Sequence, residues 1–247
     1  MAQEQVRTKA GGAILFDSAA SSQVDEDWFM PSHWRGLGAL RMQTGGRGGV
    51  ALIGTPAGEA VLRHYRRGGL VAKWLGDRYV WTGADSTRSF AEFRLLAQMV
   101  REGLPVPPPL AARYRRQGPF YTADLIIHRI PDARTLAECL AWGSLDDRLA
   151  ADVGGLIARF HRAGIWHADL NAHNILVTSR GLYLIDFDRG ERRPPAEIWR
   201  TANLQRLRRS LVKLGATANS EEVFEKTIWQ PLSQSYAAAF GVSGDAP

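Results

Sequence analysis

Apolar residues in the first half of the chain fall into short runs. Residues 50–53 and 60–65 flank a turn-like stretch at 55–58 and predict two strands joined as a hairpin. Phe90, Phe93, Leu96, Ala97 and Val100 then recur at helical spacing. Ser89 offers a cap for this helix, and Gly103 with the proline-rich residues 105–109 ends it, so an extended linker is expected to follow. Residues 124–130 form another strand-like run, stopped by Pro131 and Asp132, and residues 135–142 return to helical spacing. Leu149, Val153, Leu156, Ile157 and Phe160 predict a core helix opened by Asp146 and closed by Gly164. A last stripe, Leu204, Leu207, Leu211 and Leu214, has Arg206, Arg208, Arg209 and Lys213 on its other faces, as in a solvated helix packing on a core. Residues 16–42 are aromatic and irregular, and the tail after Gly241 is small and polar.

With 247 residues, 45% of them hydrophobic, the chain can bury a core as one domain or as two small lobes. The break at Pro131 suggests an amino-terminal lobe of residues 1–128, a hinge at 129–133 and a second lobe of residues 134–247. A formal charge of +6 favours an anionic partner such as nucleotide phosphate, nucleic acid or a lipid headgroup. The single cysteine, Cys139, lies among apolar helical residues, which excludes a disulfide framework or a cysteine zinc site within one chain. No signal core and no run of about eighteen apolar residues is present. A cytoplasmic protein that touches a membrane surface is therefore expected.

The chemistry concentrates in the string Trp166-His167-Ala168-Asp169-Leu170-Asn171-Ala172-His173-Asn174, followed by Leu184-Ile185-Asp186-Phe187-Asp188. Between them residues 175–178 and 182–185 read as strands around a three-residue turn, Ser179-Arg180-Gly181. Counted outward from Arg180, Asn174 faces Asp186 at the open end of the hairpin. One amide oxygen and one carboxylate are hard donors that suit Mg²⁺. A further carboxylate, Asp169, sits on the loop that ends at Asn174, where it can orient an attacking hydroxyl and accept its proton. Together these residues point to phosphoryl transfer from ATP.

The same strings resemble the catalytic loop and metal motif of the protein-kinase-like superfamily, with His-Ala-Asp-Leu for His-Arg-Asp-Leu and Asp-Phe-Asp for Asp-Phe-Gly. More narrowly, Leu62-Arg63-His64-Tyr65-Arg66-Arg67-Gly68-Gly69 and Asp186-Phe187-Asp188-Arg189-Gly190 look like the bacterial Kdo kinase family, which phosphorylates 3-deoxy-D-manno-octulosonic acid (Kdo) in the lipopolysaccharide inner core. The resemblance covers most of the chain. It implies an α+β, bilobal protein-kinase-like fold: an amino-terminal lobe of antiparallel sheet with one helix, and a mainly helical carboxyl-terminal lobe. It makes Asp169 the catalytic base, Asn174 and Asp186 the Mg²⁺ ligands, and His167 a residue that orients the loop, although His167 also fits as a satisfied structural histidine. Gly45, Gly46 and Gly48 look like a glycine-rich phosphate loop. Residues 124–131, with Arg129, look like the strand and hinge beside the nucleotide. The cation for the ATP phosphates is either Arg63, which replaces the usual strand lysine, or Lys73. Glu92 stands where a helix glutamate would steady that cation, yet Ser89-Phe90-Ala91-Glu92 is equally a capping box. Asp188 in place of glycine argues against a flip of the motif around Phe187.

Little chain remains after Asp188 and no Ala-Pro-Glu segment follows, so no protein substrate is expected. The implied acceptor is a Kdo-lipid A precursor, phosphorylated on its 4-hydroxyl at the cytoplasmic face of the inner membrane. The basic residues Arg63, His64, Arg66, Arg67, Lys73 and Arg78 could meet its anionic groups, and Tyr65, Trp74, Tyr79 and Trp81 could rest at the bilayer interface or pack in the core. A core-heptose kinase and an aminoglycoside-type kinase share the same loop and differ in acceptor. A non-catalytic nucleotide or RNA binder would have no need of Asp169, so no nucleic-acid partner is expected.

Overall fold

A computed structural model describes residues 3–42, 50–66, 76–218 and 220–241. The glycine cluster at 45–49, together with Arg67, Lys73 and Trp74, lies outside the described residues. The chain divides into two compact units, one of residues 1–103 and 107–130, the other of residues 104–106 and 131–247. Residues 104–106 join the second unit because the Pro105 carbonyl accepts the Leu184 amide at 3.1 Å.

The first unit is built on an antiparallel sheet of β1 (Glu4–Lys9), β2 (Gly12–Asp17), β3 (Leu40–Met42), β4 (Val50–Thr55), β5 (Gly58–His64), β6 (Tyr79–Val80), β7 (Pro109–Gln117) and β8 (Phe120–His128). The order is β1-β2-β7-β8-β5-β4-β3, with β6 paired to β8. Thr55 pairs with Gly58, so β4 and β5 close through a two-residue turn, Pro56 and Ala57, and Gly58 opens β5 with φ 107°. The sheet is wider than the sequence suggests. The proline run at 105–109, expected as an extended linker, leads directly into the central strand β7, for which no strand was expected. Leu110, Ala111, Ala112 and Arg113 are all buried there, so β7 lacks the alternation that marks a half-exposed strand. β1 and β2 lie almost wholly before the stretch expected to be irregular, where no strand was expected, and β3 closes that stretch.

Each sheet face is covered. On one face lies α2 (Arg88–Arg101), which buries Phe90, Phe93, Leu96, Ala97 and Met99. A short 3₁₀ turn (Glu26–Phe29) and α1 (Pro31–Gly36) cover the other, where Trp28, Phe29 and Trp34 pack on Ile14, Phe16, Ile53, Leu62 and Ile126. Arg113 is buried on this second face, with Nε and Nη2 donating to Asp124 Oδ2 at 3.0 and 2.8 Å and Nη1 donating to Glu26 at 2.9 Å. His64 completes the network with Nδ1 2.7 Å from Asp124 and Nε2 2.5 Å from Asp77. The hydrogen bond to Asp124 is the main reason its pKa lies above the ordinary histidine value. Tyr79 is buried in the interior of this unit, and half-buried Trp81 packs on Tyr114 at 4.9 Å.

The second unit is mainly helical. It contains α3 (Leu136–Ala141), α4 (Asp147–Arg162), α5 (Glu197–Lys213), α6 (Glu221–Phe224), a π-helical turn (Glu225–Trp229) and α7 (Gln230–Gly241). Thr135 and Glu138 form a capping box at α3, and Asp146 caps α4 by accepting the Leu149 amide at 2.8 Å. A side chain at Gly154 of α4 would strike the Leu232 carbonyl at 2.1 Å, so glycine is what lets α4 and α7 approach. Short strands β9 (Arg134–Thr135), β11 (Ile175–Thr178) and β12 (Gly181–Leu184) form one small sheet, and β10 (Ile165–Trp166) pairs with β13 (Glu191–Arg192).

Candidate active site

The β11–β12 hairpin places the expected metal pair differently from the outward count. Thr178 pairs with Gly181 and Ile175 with Leu184, so the turn has two residues, Ser179 and Arg180, and the register slips by one. Asn174 therefore faces Ile185, whose amide donates to the Asn174 carbonyl at 3.0 Å. Asp186 follows at the open end with φ 63°, a left-handed backbone that costs a non-glycine residue roughly 1–2 kcal/mol and that Asp tolerates better than most. Phe187 anchors this bend, stacked on Phe160 at 5.7 Å and packed on His167 at 4.7 Å.

His167 is buried, and both its ring nitrogens are engaged. The Asp169 amide donates to Nδ1 at 3.1 Å, so Nδ1 carries no proton, and Nε2 donates to the Ile185 carbonyl at 3.0 Å. This fixes the neutral tautomer, in keeping with the burial that pulls its pKa below the ordinary value. One imidazole thus ties the Asp169 loop to the strand end before Asp186. The orienting and structural readings of His167 describe the same pair of bonds.

Asn174 Nδ2 donates to the Asp169 carbonyl at 2.9 Å, which turns the amide nitrogen towards protein and leaves Oδ1 as the atom suited to a cation. Asn171 caps the 3₁₀ turn Ala172–Asn174, accepting the His173 amide at 2.8 Å while its Nδ2 reaches the Asp169 carbonyl at 3.0 Å. Two side-chain amides thereby hold the main chain of Asp169, whose carboxylate is left 52% exposed and open to an incoming hydroxyl. The oxygen donors of Asn174 and Asp186 fit Mg²⁺, which keeps several waters and substrate phosphates and does not need a protein cage. Among the described residues no cluster of three His, Cys, Asp or Glu side chains offers an alternative metal site.

Helix α5 adds three residues: Asn203 and Ser210, which the sequence does not single out, and Arg206, expected on a solvated face. Asn203 is buried, accepts the His167 amide at 3.3 Å and donates to the His167 carbonyl at 3.0 Å. Arg206 reaches Asp169 Oδ1 through Nε at 2.8 Å and Nη2 at 2.5 Å. Ser210 accepts the Ala172 amide at 3.2 Å. Their spacing of three and four residues sets them on one helical stripe beside buried Leu207 and Leu211.

In the first unit, Arg63 of β5 is ion-paired with buried Glu92 of α2, and the Tyr65 hydroxyl donates to the same carboxylate at 2.5 Å. Glu92 is therefore an ion-pair partner and not a cap. The N-cap is Thr87, and Ser89 lies inside the helix with its hydroxyl donating to the Arg113 carbonyl at 2.9 Å. Arg129 is not beside this pair. It donates to Glu59 at 2.7 Å, four positions beyond Leu125, the partner of Arg63, or roughly 13 Å away at strand rise.

A sheet that carries an Arg–Glu ion pair, together with a helical unit that presents a tethered aspartate beside an Asn and an Asp, defines a kinase of the protein-kinase-like class. The comparisons agree. The chain belongs to the lipopolysaccharide kinase (Kdo/WaaP) family, whose family model matches residues 32–236. It is 48% identical over 233 residues to the 3-deoxy-D-manno-octulosonic acid kinase of Xanthomonas campestris pv. campestris (strain B100), covering 93% of this chain and 91% of that protein. It is 51% identical over 220 residues to the protein of the same name from Stenotrophomonas maltophilia (strain R551-3), covering 86% and 85%. A solved structure described as WaaP in complex with acyl carrier protein matches with a TM-score of 0.52 at 14% identity, covering 81% of this chain and 78% of that one, which shows the fold. Among the described residues no helix is long and apolar enough to cross a membrane.

Proposed function

We propose that this kinase transfers the terminal phosphoryl group of ATP to the 4-hydroxyl of a Kdo sugar on a Kdo-lipid A precursor, at the cytoplasmic face of the inner membrane. The observation that carries the reading is the exposed Asp169 carboxylate on a loop fixed by neutral His167, Asn174 and Asn203. Such a group orients the acceptor hydroxyl and takes its proton as the phosphoryl group is transferred. Mg²⁺, held by Asn174 Oδ1 and Asp186, would supply charge neutralisation on the phosphates. The Glu92 ion pair supports Arg63 as the cation for those phosphates, because a guanidinium so held presents its fork in a fixed direction; Lys73, outside the described residues, is the alternative. In this reading Gly45, Gly46 and Gly48 are the glycines of the phosphate loop by resemblance alone, and Arg129 serves at the edge of the nucleotide site.

The test is incubation with Mg-ATP and either Kdo-bearing lipid A precursor or heptosylated core, followed by mass spectrometry of the products. One added phosphate on the Kdo sugar is expected, and phosphate on heptose alone would overturn the acceptor. In the same assay Asp169→Ala is expected to lower turnover by roughly 10²-fold or more with ATP affinity largely kept.

A further inference from the structure

Arg206 has a part in this site that the phosphate chemistry does not account for. Its Nε and Nη2 converge on a single oxygen, Asp169 Oδ1, instead of closing a two-oxygen fork. Among the described residues, Asp169 Oδ2 and Arg206 Nη1 take no hydrogen bond, and the Arg206 side chain is 47% exposed. The base therefore keeps one oxygen for a hydroxyl, while the guanidinium beside it keeps its outer edge, with a row of N–H donors, turned to no protein partner. That edge matches the two oxygens of a carboxylate. Simple tethering of Asp169 would not require a cation whose best recognition edge is left unused.

We infer that Arg206 is the specificity residue for the acceptor and binds the sugar's own carboxylate while Asp169 Oδ2 receives the reacting hydroxyl. This rests on the Kdo reading above. Kdo is a 3-deoxy ulosonic acid, so its carboxylate hangs from the carbon that is separated from the 4-hydroxyl carbon by a single methylene. An anion and a nucleophile that lie so close on one ring need a cation and a base that are themselves adjacent, and Arg206 and Asp169 are in direct contact. A neutral sugar such as heptose offers nothing to the guanidinium and leaves Arg206 on Asp169. The site then prefers acidic acceptors to neutral ones of the same size.

The test compares Kdo-lipid A precursor with the same glycolipid carrying a primary carboxamide in place of the sugar carboxylate, using the wild type, Arg206→Gln and Arg206→Lys. Wild type is expected to lose roughly 10- to 100-fold in kcat/KM on the carboxamide, the worth of a charge-assisted pair. Arg206→Gln is expected to fall by a similar factor on the acid and to treat the two acceptors nearly alike, with binding of a fluorescent ATP analogue unchanged. Arg206→Lys, which keeps the charge without the fork, should show an acid-to-amide ratio several-fold below wild type, and this variant decides the matter if Arg206→Gln does not fold. An equal loss on both acceptors in Arg206→Gln, or an unchanged ratio in Arg206→Lys, would mean that Arg206 acts only on Asp169 and would overturn the inference. Phosphate on heptose alone in the wild type would instead overturn the Kdo reading and this inference with it.

Discussion

Asn203→Ala is the sharpest probe of how the second unit holds its catalytic loop. The side chain is 3% exposed and makes two hydrogen bonds to the main chain of one residue, accepting from His167 N at 3.3 Å and donating to His167 O at 3.0 Å. Truncation strands a buried N–H and a buried carbonyl, each costing about 1–3 kcal/mol when left unpaired. The longer bond belongs at the low end, so the pair should cost about 3 kcal/mol together. At an m-value of about 3 kcal/mol/M, the urea midpoint of the second unit falls by about 1 M. Turnover should fall as well, because the displaced backbone belongs to the histidine that positions the Asp169 amide. Asn203→Asp makes the comparison stricter. It keeps an acceptor for the His167 amide but places an oxygen against the carbonyl, so it should be at least as unstable as Asn203→Ala at neutral pH. A midpoint within 0.2 M, roughly the noise of such extrapolations, would refute the clamp.

Two further perturbations separate stability from chemistry. Glu92→Gln removes the buried charge that faces Arg63 and should destabilise the first unit by about 2–3 kcal/mol, below the range for fully buried pairs because Arg63 is 21% exposed. If Arg63 grips the phosphates, the KM for ATP in that variant rises about tenfold, and steady-state kinetics with an unchanged KM would remove Arg63 from that role. His161, packed in the second unit with Nδ1 2.9 Å from the Tyr236 hydroxyl, has its pKa lowered to about 4 by burial. Its folded pKa lies below the unfolded value of about 6.5, so the unfolded chain binds the extra proton first and stability is lost as pH falls from 6.5 towards 4. At pH 5 the loss is about 2 kcal/mol, and urea unfolding of wild type against His161→Gln between pH 7 and 5 should show that much convergence. Parallel curves for the two proteins would show that His161 does not titrate in this way.

β4 and β5 were legible because two apolar runs flank a turn, and the helices with a clear apolar stripe, α2 and α4, because burial on one side only is what periodicity records. β7 was not, since a strand covered on both faces has no polar side to reveal it. The glutamate at 92 carried two meanings for a physical reason. A serine three residues before a glutamate is the same string whether it caps a helix or lies within it, and here Thr87 takes the cap two residues earlier. The hairpin count failed by one for a comparable reason. Gly181, assigned to the turn, is the first residue of β12 at φ 131°, and a one-residue slip exchanges every facing pair.

The largest omission, the polar residues of α5, shows why a catalytic string is easier to read than the residues that serve it. Asp169, Asn174 and Asp186 lie within a short stretch of chain whose residue types have few uses together. Asn203, Arg206 and Ser210 lie on a helix whose leucine stripe accounts for its burial, and polar residues outside such a stripe ordinarily face water. Hydrophobic periodicity reports which side chains leave solvent. It carries no information on whether a polar one faces water or the unpaired main chain of a loop far away in sequence. The loop around His167 cannot satisfy its own amide and carbonyl with regular structure and still expose Asp169, so those groups must find partners elsewhere. Asn203 supplies both a donor and an acceptor from one buried side chain. A question the sequence does allow, namely where the main-chain hydrogen bonds of a non-repeating catalytic loop go, points to buried Asn, Ser and Arg on neighbouring helices, and on α5 all three are found within eight residues.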